Sequence, residues 1–137
     1  MARKYRVMFV DGTLYPLHLA VSADWKVHYF SADMARNAAY REEEQRFLVD
    51  MPGVLGARAV RALESIRDAL GLDYAGVDFG LGQDGSVLLF EANATMVVFP
   101  PGPGAMWDYR RPAIDRVIAA ASRMLEARLG RNSRPLA

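Results

Sequence analysis

Two aspartate–glycine pairs, Asp11-Gly12 and Asp84-Gly85, each sit between runs of β-branched, aromatic and other apolar residues. Asp-Gly supplies the positive φ that a tight hairpin loop requires and is the strongest short-range hairpin signal. Two hairpins commit much of the chain to antiparallel pairing. The first predicts strands at 5–10 and 14–21, with Pro16 marking an edge or a bulge. The second predicts strands at 74–79 and 87–93. The segment 25–30 alternates Lys26 and His28 with Val27 and Tyr29 and predicts a further half-buried strand.

Between the hairpins the composition changes to helix formers. Helices are predicted at 35–50 and 57–70, the second with Val60, Leu63, Ile66 and Leu70 near helical spacing and Gly71 as its C-cap. The run Arg41-Glu42-Glu43-Glu44-Gln45-Arg46 reads as a solvated helix face, and Met51-Pro52-Gly53 as a break. After the Pro/Gly loop at 99–104, Trp107 and Tyr109 are expected to anchor a last helix that starts near Pro112. Its apolar stripe is Ile114, Val117, Ile118, Ala121 and Leu125, and Gly130 ends it. The expectation is a single α+β domain over 1–130 and a disordered tail at 131–137. Its antiparallel sheet has about five strands, with helices packed on one face and a polar site on the other.

A chain of 137 residues that is 52% apolar can bury a core without staples. With no cysteine, disulfide scaffolds, thiolate zinc sites and cysteine nucleophiles are excluded. A net charge of +1 is too small for non-specific nucleic-acid binding. The sequence contains neither an apolar run long enough to span a membrane nor a signal-peptide core, so a cytoplasmic setting is expected. Lys4 and Lys26 are the only lysines among 17 Lys and Arg residues, which limits any lysine-dependent chemistry to two positions.

The second hairpin carries the chemistry. A two-residue loop at Asp84-Gly85 places Asp78 directly across from Glu91, Cβ atoms about 4.5–5.5 Å apart. Asn93 shares their face by alternation, while Val77, Phe79, Leu88 and Phe90 form an apolar opposite face. Opposed carboxylates destabilise a strand pair unless something neutralises them. Mg²⁺ would do so, taking one or two carboxylates plus substrate phosphates, whereas these oxygen donors do not suit zinc. A solvated polar face without a ligand is the plain alternative. A retaining glycosidase pair, with carboxyls about 5 Å apart, is a third.

Gly76-Val77-Asp78 followed by Leu88-Leu89-Phe90-Glu91-Ala92-Asn93 resembles the metal-binding end of the ATP-grasp ligases. The stretch from Tyr5 to Gly12 is similar to the arginine-containing strand and turn of their glutathione-synthetase-like branch, and the likeness runs from about Lys4 to Met96. The resemblance implies the C-terminal half of the ATP-grasp fold. It implies that Asp78, Glu91 and Asn93 hold Mg²⁺ or Mn²⁺ on the phosphates of ATP. Arg6 becomes the counterpart of the arginine beside the transferred phosphoryl group, catalytic and cofactor-binding, with Lys26 and His28 as further cofactor-binding candidates. The activity implied is ATP-dependent ligation of a carboxylate to an amine through an acyl phosphate.

The chain departs from the branch at Leu17-His18-Leu19, where an arginine usually approaches the acyl substrate, so the acceptor stays open. His18 itself reads as a satisfied, partly buried histidine. Gly80-Leu81-Gly82 reads as a turn rather than a phosphate loop. The resemblance therefore implies a fragment of a longer ligase, inactive alone, that meets ATP and its carboxylate substrate through a preceding N-terminal portion. The alternative is a non-catalytic binding or homodimerisation module derived from such a half, with Met96 and Val98 in the interface.

Overall fold

A computed structural model describes residues 1–24 and 33–132. The elements are β1 (Ala2–Val10), β2 (Thr13–Ser22), α1 (Ala38–Val49), α2 (Met51–Leu55), α3 (Ala57–Leu70), β3 (Tyr74–Leu81), β4 (Val87–Asn93), a 3-10 helix (Ala105–Arg110) and α4 (Arg111–Asn132). The strands form one antiparallel sheet in the order β2-β1-β3-β4. The α+β class holds, with four strands among the described residues rather than about five. The strand expected at 25–30 lies outside the described residues.

The first hairpin turns at Asp11 and Gly12 with φ of 49° and 83°, the two positive values of a type I′ turn. From there side chains alternate. Tyr5, Val7 and Phe9 join Leu19, Val21, Ala75, Val77 and Phe79 in the larger core, against Phe47, Leu48, Leu55, Ala59 and Leu63 of α1, α2 and α3. Tyr5 stacks on Phe79 at 5.4 Å and meets Phe47 edge-on at 5.1 Å. β2 carries the irregularity that Pro16 signalled: Arg6 pairs with His18 but Val7 with Pro16, so Leu17 is bulged on an edge strand.

Helices do not keep to one face. α4 lies across β1 and β2 on the other side, where Met8, Val10, Leu17 and Met96 meet Ile114, Val117, Ala120 and Met124. The buried stripe of α4 is turned from the expected one: Ala113, Ala120 and Met124 are buried, while Ile118 and Leu125 are about half exposed. α4 also continues through Gly130, which keeps negative φ and does not cap it. Met51-Pro52-Gly53 starts α2 rather than only ending α1, because Asp50 accepts from the Gly53 amide at 3.1 Å.

α4 covers the half of this face near the β1–β2 turn, where Arg128 reaches Asp11 at 2.8 Å. The opposite half, around Lys4 and Arg6, is left for polar side chains. Gly76 marks the boundary: a Cβ there would come within 2.2 Å of the Met96 sulfur and 2.8 Å of the Met8 sulfur. Gly76→Ala is expected to lower unfolding free energy by roughly 1–3 kcal/mol, since the thioethers can swing aside but the Met96 Cβ, 2.9 Å away, cannot move without its backbone. Urea denaturation followed by circular dichroism measures it.

Candidate functional site

Asp78 and Glu91 are direct partners across β3 and β4, but two irregularities combine to put them there. The hairpin closes with the Gly82 amide donating to the Ser86 carbonyl at 2.8 Å, which leaves three loop residues rather than two. Gly85 takes the left-handed position with φ of 79°. Leu81, Gly80 and Phe79 therefore pair with Val87, Leu88 and Leu89. Phe90 is then bulged, which restores Asp78 to Glu91, Val77 to Ala92 and Gly76 to Asn93.

The bulge corrects the expected apolar face. Val77 and Phe79 are buried, but Leu88 is 64% and Phe90 54% exposed. The Phe90 ring lies over Gly80, so close that a Cβ on that glycine would stand 3.0 Å from it.

Each strand contributes one residue to a single row across the sheet: His18 of β2, Arg6 of β1, Asp78 of β3 and Glu91 of β4. Arg6 grips Asp78 with both sides of its fork, Nε to Oδ1 at 2.6 Å and Nη2 to Oδ2 at 2.8 Å. Lys4 Nζ stands 3.4 Å from Oδ2. The neutralisation that the opposed carboxylates called for is thus supplied at Asp78 by two cations of β1. Burial by itself would raise the Asp78 carboxyl, but the Arg6 hydrogen bonds and the charges of Arg6 and Lys4 hold it below the ordinary carboxylate value. Glu91 accepts from Asn93 Nδ2 at 3.3 Å, and Asn93 Oδ1 accepts from the Thr95 amide and hydroxyl at 2.8 and 2.9 Å.

Lys4, Arg6, Asp78 and Glu91 border a cavity of about 320 Å³ with His18, Arg110, Leu17, Val97, Phe99 and Ile114. Burial chiefly, then the charge of Arg6, pushes the His18 imidazole down to about 3, so it is neutral across the physiological range. It is more deeply buried than expected, at 6% exposure.

Two residues here escaped the sequence reading. Arg110 is buried, its Nε 2.5 Å from Glu44 Oε1 and its guanidinium carbon 4.3 Å from the centre of the Trp107 ring. Glu44, expected on a solvated face, is fully buried and also accepts from the Leu19 amide at 2.9 Å and from the Tyr109 hydroxyl. A signal for it existed: Glu44 lies at helical spacing with Tyr40, Phe47, Leu48 and Met51, in the middle of the core stripe. Burial, the charge of Glu44 and the hydrogen bond to it raise the Tyr109 hydroxyl well above its ordinary value. Trp107 and Tyr109 both pack on the larger core, in the anchoring place expected of them.

Among the described residues, no three His, Asp or Glu side chains gather closely enough to hold a metal between them. Asp78 and Glu91 are nonetheless carboxylate oxygen donors on one sheet face, which suits a hard dication completed by phosphate oxygens, while Asn93 beside them turns its Nδ2 to Glu91 and its Oδ1 to Thr95. Arg6 occupies one position on each Asp78 oxygen and Lys4 stands at Oδ2, of the about four positions a carboxylate offers, so Asp78 has room for such an ion only on Oδ1 while Glu91 keeps more of its positions. Lys26 and His28 lie outside the described residues. Among the described residues no helix is long and apolar enough to cross a membrane. Comparison with protein-family models, curated proteins and solved structures gave no match.

Proposed function

We propose that this chain is the metal- and phosphate-binding portion of an ATP-dependent carboxylate–amine ligase, the C-terminal half of an ATP-grasp fold, inactive alone and cytoplasmic. The observation that carries this reading is the row His18–Arg6–Asp78–Glu91 with Lys4 beside it, which sets two carboxylates and two cations at one end of the sheet. Asp78 and Glu91, with Asn93 beside them, would hold Mg²⁺ or Mn²⁺. The bound ion supplies charge neutralisation on the phosphates of ATP.

Arg6 and Lys4 are the chain's own contribution to the transfer. The γ-phosphoryl group passes to a substrate carboxylate oxygen and ADP leaves. An amine then attacks the acyl carbon and inorganic phosphate leaves. The guanidinium of Arg6 is planar and multidentate, and it stabilises negative charge on the moving phosphoryl group. Its pairing with Asp78 holds it in place before substrate arrives.

Mn²⁺ titration followed by electron paramagnetic resonance tests the metal site. One saturable site that Glu91→Gln weakens at least about tenfold is the expected result. Equal binding by wild type and variant contradicts it. A second reading, a non-catalytic dimerisation module, is favoured by Leu88, Leu89 and Phe90, all exposed on the edge strand β4. Met96, expected in such an interface, is buried in the core, and Val98 packs against it. Light scattering separates the two: a dimer that Leu88→Asp or Phe90→Asp dissociates supports the module, and a monomer removes it.

A further inference from the structure

The oxygen and nitrogen of the Asn93 side chain are told apart by their partners. A backbone amide can only donate, so the atom 2.8 Å from the Thr95 amide is the oxygen Oδ1. The Thr95 hydroxyl donates to the same atom at 2.9 Å. A side-chain carbonyl has two lone pairs, and these two contacts take both. The nitrogen is thereby turned to Glu91, where Nδ2 donates to Oε1 at 3.3 Å.

Thr95 is itself fixed from below. It lies in the turn that follows β4 and leads directly to Met96. Met96 is buried in the smaller core, and its carbonyl oxygen accepts from the Tyr74 hydroxyl at 2.6 Å. Gly76, the partner of Asn93 across β3 and β4, leaves room for the Met96 sulfur. A core anchor, a turn and an amide thus lead outward to one carboxylate. Glu91 is exposed on an edge strand, where a long side chain without such a contact is ordered only when a ligand arrives.

We propose that Thr95 and Asn93 are positioning residues for Glu91 and not ligands. Thr95 sets the Asn93 amide, and the amide holds Oε1, so that the carboxylate stands beside Asp78 in one orientation before the ion binds. The inference rests on the ligase reading, whose metal site it narrows to two protein carboxylates completed by phosphate and water oxygens. It departs from the family resemblance, which puts Asn93 among the ligands.

The two assignments predict opposite signs for one substitution. Thr95→Val keeps the shape and the backbone amide but removes the hydroxyl donor. With Asn93 acting through Glu91, its amide is then held less firmly, and the ion binds more weakly by about threefold or more. With Oδ1 as a ligand, the hydroxyl competes with the ion for that atom, and the same substitution strengthens binding. Thr95→Ser returns the hydroxyl and is expected to recover wild-type affinity. Thr95 is exposed, so both variants are expected to fold as the wild type does.

Mn²⁺ titration followed by electron paramagnetic resonance, without nucleotide, reads the affinities of wild type, Thr95→Val and Thr95→Ser. The Thr95 amide proton, followed by nuclear magnetic resonance through a Mg²⁺ titration, is an independent readout. It is expected to keep its hydrogen-bonded shift as the site fills. Weaker binding in Thr95→Val with recovery in Thr95→Ser supports the proposal. Equal or tighter binding in Thr95→Val, no recovery in Thr95→Ser, or an upfield move of the amide proton overturns it and leaves the metal site standing. A wild-type chain that binds no Mn²⁺ overturns the metal site of the ligase reading and this assignment with it.

Discussion

Glu44→Ala is expected to lower the free energy of unfolding by about 3–5 kcal/mol, the range for removing one partner of a buried ion pair. Glu44 is fully buried on α1 and gathers three donors from distant parts of the chain: the Leu19 amide of β2, and Tyr109 and Arg110 of the 3-10 helix. Alanine leaves the guanidinium of Arg110 buried without its carboxylate and the Leu19 amide without its acceptor. It also unties the segment that leads into α4. Since single domains have only about 5–15 kcal/mol in total, the variant is close to unfolding. Glu44→Gln keeps an acceptor and the volume, and about 1–3 kcal/mol is expected there, the range for weakening hydrogen bonds to a charged group. Urea denaturation of the two variants measures the difference. Wild-type stability in Glu44→Ala would mean that this pair does not hold α1 to the α4 entry.

Acidification is expected to remove about 2 kcal/mol between pH 7.5 and 5 through His18 alone. The folded imidazole is depressed to about 3 by burial and by the neighbouring cations, Arg6 first. In the unfolded chain it titrates near its ordinary value of about 6.5. Between these two values the unfolded state takes up a proton that the folded state refuses. The contribution is therefore complete above about pH 6.5 and is lost as pH falls toward 3. Asp78 acts below this window, because its folded carboxyl is held under the ordinary value. Its stabilisation is present at neutral pH and disappears only as pH falls through that lowered value. Unfolding curves of wild type and His18→Leu at both pH values isolate the histidine. The difference between the two proteins should change by about 2 kcal/mol across the interval, and an unchanged difference contradicts the burial argument.

Local rules carried the reading a long way. Asp11-Gly12 makes the expected turn, α3 spans Ala57–Leu70 with Gly71 in the left-handed cap, and β4 spans Val87–Asn93. Asp78 does face Glu91, although the loop is longer by one residue than the two expected and the Phe90 bulge compensates. Pro16 marks the bulge in β2, but no residue of comparable stiffness marks the one at Phe90. The apolar face expected of Leu88 and Phe90 is therefore exposed, Leu88 through the longer loop and Phe90 through the bulge.

What stayed hidden depends on long-range partners. The spacing of Glu44 with Tyr40, Phe47 and Leu48 places it on the core side of α1, but nothing in the run Arg41 to Arg46 names its partner, an arginine 66 residues later. α4 is likewise turned so that Ala113 and Ala120 are buried while Ile118 and Leu125 are about half exposed, a rotation that the apolar residues along the helix do not fix by themselves. Arg110 reaches the cavity from the 3-10 helix, an element that no periodicity announced.

The central claim is that Asp78 and Glu91 hold a dication that in turn holds phosphate beside Arg6 and Lys4. Calorimetric titration of pyrophosphate in the presence and absence of Mg²⁺ addresses it without reference to adenine. The expected result is Mg²⁺-dependent binding to the wild-type chain that Glu91→Gln and Asp78→Asn each weaken at least about tenfold. Binding that is the same with and without Mg²⁺, or the same in both variants as in wild type, would contradict the claim.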